Sequence, residues 1–230
     1  MTDDLYVVRI ESHDPRLGRH ITHDPASRGF AMRANIDRST WRNKRIGVYD
    51  PKPNPNQTIG NCTGVSKCVM FNAIGNRKKG VVLKMADAVR IYSLATKIDP
   101  FPGTYAPDDT GSNGLAASKA AQQLGLGGEY RWLFGGADEV VQTIMAGQIV
   151  SVGTNWYESM FRKDSANRVA IAGSVAGGHQ WTVRGYDADR DLILGRCWWG
   201  DYKDFWIKRV DLDRLLHEDG DAHVQKRVTQ

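Results

Sequence analysis

Two residues in this 230-residue chain stand where an acid–base pair could break an amide bond. Cys62 precedes a segment in which Val65, Cys68, Val69 and Asn72 recur at helical spacing, so it falls in the first turn of a helix that Asn61 or Thr63 could cap. The dipole and free amides of a first turn favour thiolate over thiol and can hold a developing oxyanion. His179 follows Gly177-Gly178 and opens a strand in which His179, Trp181 and Val183 share a face. A neutral imidazole beside a thiol can take its proton and later return it to a leaving amine. Each residue also has an ordinary reading: a cysteine on an apolar helix serves as a small core residue, as expected for Cys68, and a histidine can be held by a backbone group.

The other histidines offer less. His13 and His23 each open a His-Asp-Pro tripeptide, with His20 nearby, but Asp-Pro favours turns and no Cys or Glu stands at ligand spacing, so no metal is expected. His217 and His223 lie in a charged tail.

Elements must bring Cys62 and His179 together. Residues 1–58 read as an extended lead-in arm, rich in Arg, His and Asp and ending in Pro51, Pro53 and Pro55. Four helices are predicted, over 60–71, 85–98, 115–124 and 137–146, bounded by Pro100 and by Gly125 and Gly147. Strands are predicted over 149–154, 179–186, 192–199 and 205–210. Helices followed by strands imply an α+β fold with a cleft between a helical lobe, about 59–147, and a β-rich lobe, about 148–230.

These residues resemble the papain-like cysteine peptidases, over roughly residues 45–225. The resemblance rests on Gln57-Thr58-Ile59-Gly60-Asn61-Cys62, on Gly177-Gly178-His179 running to Gly185-Tyr186-Asp187, and on Cys197-Trp198-Trp199-Gly200. Asn113-Gly114 before a helix is similar to the family's substrate-binding loop. Arg16-Leu17-Gly18-Arg19-His20 and Asp108-Asp109-Thr110-Gly111 look like uncharacterised actinobacterial and actinophage members. The resemblance implies a papain-like two-lobed fold, with a central Cys-bearing helix and an antiparallel β lobe. It implies hydrolysis of peptide or related amide bonds, with Cys62 as nucleophile, His179 as base, Gln57 at the oxyanion hole, and Asn113, Gly114, Gly178 and Trp199 lining the cleft.

Two positions depart from the family pattern. Cys197 stands where the family has the Asn that orients the imidazole, and a thiol accepts hydrogen bonds poorly; Asp201 is a possible substitute. Family spacing puts the oxyanion-hole Gln six residues before the nucleophile, at Asn56, whereas Gln57 is five before. The alternative is therefore a catalytically impaired binding or phage structural protein.

Composition narrows the remaining classes. With 41% apolar residues and 24 Gly the chain suits one sizeable globular unit. Three cysteines are too few for a disulfide framework and point to a reducing compartment. The net charge of +5 is spread along the chain with no basic stripe, so no nucleic-acid partner is expected. No apolar run approaches membrane-span length and the first thirty residues lack a signal pattern. The expectation is cytoplasmic synthesis without a cofactor, a peptide or peptidoglycan-type substrate, and a virion or host-wall destination if phage-encoded; no feature sets an oligomeric state.

Overall fold

The structure, a computed structural model, describes residues 4–228. The N-terminal region is built from short pieces because its prolines and Asx turns interrupt regular hydrogen bonding. β1 (Tyr6–Val8) pairs antiparallel with β2 (Ile21–His23). The Asp24 carboxylate of the second His-Asp-Pro tripeptide accepts from the Ala26 amide and starts a 3₁₀ turn, so a turn is what that tripeptide makes. β3 (Lys44–Arg45) then joins the main sheet.

α1 (Cys62–Phe71) is buried on every side. The sequence predicts a helix with one buried face; the difference arises because α1 runs between the other helices and the sheet. Its polar positions are satisfied there: Ser66 Oγ shares a hydrogen bond with Ser151 Oγ at 2.6 Å, and Lys67 Nζ donates to Ser118 Oγ at 2.6 Å. α2 (Met85–Ile98) crosses α1 at Gly64, where a Cβ would lie 2.2 Å from the Ala88 carbonyl oxygen, so only glycine allows that approach. α3 (Gly114–Gln123) is capped by Asn113, whose side chain accepts from the Ala116 amide at 2.8 Å. Val65, Cys68, Val69, Ala88, Ile91, Ala117 and Ala121 form the core shared by these three helices.

The rest is organised by the antiparallel sheet. β4 (Gly127–Trp132) is followed by α4 (Gly136–Met145), β5 (Val150–Tyr157), β6 (Val175–Asp187), β7 (Leu192–Arg196), β8 (Asp204–Lys208), α5 (Arg209–His217) and β9 (Asp221–Arg227). The strand order is β4-β9-β5-β6-β7-β8, with β3 also on β6. A second core, including Val140, Ile144, Val152, Trp156, Val183, Phe205 and Leu212, joins α4 and α5 to this sheet. The mixture of helices with an antiparallel sheet is the α+β fold the sequence implies. α4 packs with the sheet's core and not with that of α1–α3.

Two expectations change. The charged tail is α5 and β9, and His223 in β9 is completely buried. His20 is buried as well, so His179 is not alone among the histidines in having an enclosed setting. Charged and amide residues are tolerated in β9 because their side chains bond backbone carbonyls of neighbouring elements. Arg227 Nη1 donates to the Phe71 carbonyl at 3.3 Å and Gln225 Nε2 to the Ser118 carbonyl at 3.1 Å, so hydropathy alone misses the strand.

Candidate active site

Cys62 is the first residue of α1, and a short set of hydrogen bonds fixes the chain leading into it. The Gly60 amide donates to both carboxylate oxygens of Asp109, at 3.0 and 2.9 Å. Tyr92 Oη donates to Asp109 at 2.7 Å and accepts from the Gly111 amide at 2.8 Å. Asn61 occupies the N-cap position but makes no capping bond; its amide reaches Met85 Sδ at 3.4 Å. The Cys62 side chain is buried, and the backbone of Gln180, Gly18 and Thr63 lies near enough to its sulfur to favour the thiolate. Burial pushes its pKa up to about 11, although those backbone groups pull it down. The thiolate expected from helix position alone is therefore absent in this state: desolvation outweighs the helix terminus.

His179 lies on β6 opposite Thr154 of β5. Its ring is held edge-on to Trp156, with centroids 4.9 Å apart, and tilted against Trp199 at 4.5 Å. Neither ring nitrogen makes a hydrogen bond of ordinary geometry, although the Arg16 carbonyl lies close to the ring. Burial, aided by the Arg16 guanidinium, pushes its pKa down to about 3, while the Arg16 carbonyl opposes the shift. Cys197, just beyond β7, is buried but makes no hydrogen bond to the imidazole; its amide donates to the Lys203 carbonyl at 3.0 Å, and burial pushes its thiol pKa up. Asp201 is exposed, so it does not substitute for the orienting residue in this arrangement.

Gln57 is buried, whereas Asn56 is exposed. The Gln57 amide nitrogen Nε2 donates to the Arg16 carbonyl at 2.9 Å and the Ile59 carbonyl at 2.8 Å, and its Oε1 accepts from Trp199 Nε1 at 3.2 Å. Trp199 thus packs on the imidazole and orients Gln57 at once.

The cleft is filled by the arm. Arg19 donates its backbone N–H to the Gly178 carbonyl at 2.9 Å, Ser112 donates to the Gly18 carbonyl at 2.7 Å, and His20 donates to the Ser112 carbonyl at 2.8 Å. Gly18 fits because it has no side chain: a Cβ there would lie 2.1 Å from the Gly60 carbonyl oxygen. The same holds for Gly178, where a Cβ would lie 2.0 Å from the Arg19 carbonyl oxygen. The Arg16–Arg19 segment therefore bonds Gln57 and Gly178 and lies beside the Cys62 sulfur and His179. Gly114 borders the pocket beneath Arg19, and Asn113 stands one step back as the cap of α3. Among the described residues no group of three or more His, Cys, Asp or Glu side chains could hold a metal ion, and no helix is long and apolar enough to cross a membrane.

Sequence reasoning missed Arg19, Tyr92, Asp109, Gln180, Asp221 and His223 as residues packed around the candidate site. Asp109 has a signal in the turn-rich Asp108–Gly114 loop. Asp221 and His223 are hidden by the surrounding charges of β9.

The fold is that of the papain-like cysteine proteases. Xylellain, a cysteine protease from Xylella fastidiosa, matches with a TM-score of 0.73 and 16% identity over 94% of this chain and 97% of its own. Procathepsin B S9 from Trypanosoma congolense matches at 0.55 and 12% identity, covering 84% and 82% of the two chains. A C39-like peptidase from Bacillus anthracis matches at 0.50 and 14% identity, covering 81% of this chain and all of that one, 100%. No protein-family model and no curated protein matches the sequence.

Proposed function

We propose that the chain is a cysteine peptidase-like hydrolase of peptide or related amide bonds, with Cys62 as nucleophile and His179 as its proton partner. One observation carries the reading: a stretch of polypeptide lies across Gln57 Nε2, which binds its Arg16 carbonyl, while its Gly18 backbone lies beside the Cys62 sulfur. A site that accepts a peptide backbone over a thiol and an amide donor has the parts for acyl transfer.

In the covered state both groups are neutral, because neither thiolate nor imidazolium is solvated. Displacement of the arm readmits water and lets the proton pass from Cys62 Sγ to His179. The thiolate then attacks the substrate carbonyl carbon, and Gln57 Nε2 with the first-turn amides of α1 holds the oxygen as it gains charge. His179 returns the proton to the departing amine, and water hydrolyses the thioester with the same residue as base. Peptide, isopeptide and cell-wall cross-link amides form the substrate class, and no cofactor takes part.

The lack of a hydrogen bond of ordinary geometry on either nitrogen of His179, with Cys197 at the position of the orienting residue, favours a second reading: a binding or phage structural protein in which the reaction is impaired. Labelling with an epoxide or vinyl-sulfone probe that requires an activated thiolate separates the two. The hydrolase reading expects Cys62 to label faster than Cys68 and the rate to fall on His179→Ala. Labelling indifferent to His179 defeats it.

A further inference from the structure

The Arg19 side chain carries a charge from the covering segment into the body of the protein. It is fully buried, and it meets a carboxylate that is 7% exposed. Arg19 Nε and Nη2 donate to Asp221 Oδ2 at 3.2 and 2.7 Å, and Nη2 also donates to the Asp219 carbonyl at 2.6 Å. Two glycines make the room. A Cβ on Gly153 would lie 2.4 Å from Asp221 Oδ2 and 2.8 Å from Arg19 Nε, and one on Gly114 would lie 3.2 Å from Asp221 Oδ1. Gln180 Oε1 also borders the cavity, buried and without a partner, and Arg19 Nη1 has none either. The pocket is thus lined with acceptors.

The deeper lysine does not answer Asp221, because complete burial pushes the Lys67 pKa well below the ordinary lysine value. Lys67 Nζ bonds Ser118 Oγ and His223 Nε2 and makes no ion pair with Asp221; His223, which burial keeps neutral, stands between them with Nδ1 3.7 Å from Asp221 Oδ1, and Gln180 Nε2 donates to that oxygen at 3.4 Å. Asp221 is left facing the cleft, where Arg19 answers it. Once the arm lifts, the carboxylate must be met by water or by another cation, and an apolar side chain in the same space would strand it. The backbone of Arg19 sits between Gly178 and Ser112, next to the Gly18 that lies over Cys62.

We propose that the Arg19 cavity is a specificity pocket in which Asp221 selects substrates bearing arginine, and less strongly lysine, beside the residue that lies over Cys62. Arginine is preferred because its fork can engage Asp221 and the Asp219 carbonyl together, whereas an ammonium is a point charge. The turnover part of this proposal rests on the hydrolase reading; the binding part does not.

Two measurements on the full-length chain test it. Fluorogenic peptide amides identical except for Arg, Lys, citrulline or Leu at that position are compared on the wild type and on Arg19→Ala. Arginine is expected to exceed citrulline in kcat/KM by about tenfold or more, since a site built for a polar group discriminates strongly against its absence. The preference should vanish in Asp221→Asn. In parallel, N-ethylguanidinium is expected to raise the thermal midpoint or folded fraction of Arg19→Ala and leave Arg19→Ala/Asp221→Asn unchanged.

Hydrolysis without an arginine preference, or a preference that survives Asp221→Asn, overturns the pocket and spares the hydrolase reading. Absence of guanidinium rescue also overturns the pocket. Rescue without hydrolysis of any amide supports the pocket and defeats the hydrolase reading.

Discussion

His179 and His223 occupy comparable places in the sheet and are treated in opposite ways. Both are completely buried on antiparallel strands, and burial depresses both, to about 3 and about 4. His223 is wired into the interior, with Lys67 Nζ on Nε2 and Asp221 close to Nδ1. His179 lies between Trp156 and Trp199 with no hydrogen bond of ordinary geometry on either nitrogen. The wired histidine helps keep a lysine and an aspartate in place. The unwired one is costly to bury, and a segment of the arm joins Trp156 and Trp199 in burying it. A polar group left unsatisfied beneath a removable cover suits a reaction site, whereas His223 is held by the Lys67 hydrogen bond on Nε2 even though its Nδ1 makes none.

The largest effect that would break this contrast is on reactivity. Cys62→Ala is expected to abolish hydrolysis, and His179→Ala to lower kcat/KM by about a thousandfold, as when a nucleophile's base is removed; equal losses from His223→Gln would erase the distinction. Next comes release of the cover. Arg19→Ala should raise the rate at which Cys62 is labelled by about tenfold, because it shifts the population toward the open site, and an unchanged rate would mean that the strand is held by its backbone alone.

Stability sharpens the comparison further. His223→Phe is expected to cost about 3 kcal/mol in denaturant unfolding because it takes from the buried Lys67 Nζ its bond to His223 Nε2. His179→Phe should cost under about 1 kcal/mol, since no hydrogen bond of ordinary geometry is lost and two unsatisfied nitrogens go.

pH gives a smaller handle of defined sign. Both histidines titrate below the ordinary 6.5 in the folded protein, so the unfolded chain binds more protons over the interval between. Stability therefore rises with pH up to about 6.5 and is lost below it, by about 1.4 kcal/mol per unit for each buried histidine. His179→Phe should flatten that slope in urea titrations between pH 4 and 7. The smallest effect is expected from Cys197→Asn, a gain of several-fold in kcat if the amide orients the imidazole, read as a change in kcat more than in KM.

Much of the fold is legible because helix and strand signals are local. The predicted helix over 85–98 is α2 to the residue, and Asn113, Gly125 and Gly147 punctuate as their chemistry requires. β4 and β9 escape such reading. Tyr130 and Trp132 in β4 follow Gly-Gly and a glutamate, and β9 alternates charges with only two apolar residues, Ala222 and Val224. Their burial depends on partners far away in sequence, such as Arg19 for Asp221 and Met70 Sδ for the Gln225 amide.

The sequence by itself determined the α+β order, the helix that begins at Cys62, and the glycine pair that leads into His179, because these depend on neighbouring residues. Position along the chain could also assign Cys68 to a core and place Cys197 beside two tryptophans. Only the tertiary structure decided that Gln57 and not Asn56 is enclosed, that the arm lies on the thiol, and that Arg19 ends on Asp221, 202 residues away. Protonation followed the same rule. A helix terminus favours a thiolate, but the charge state is set by how much water the whole fold admits, and in the covered state the fold admits too little to keep either partner charged.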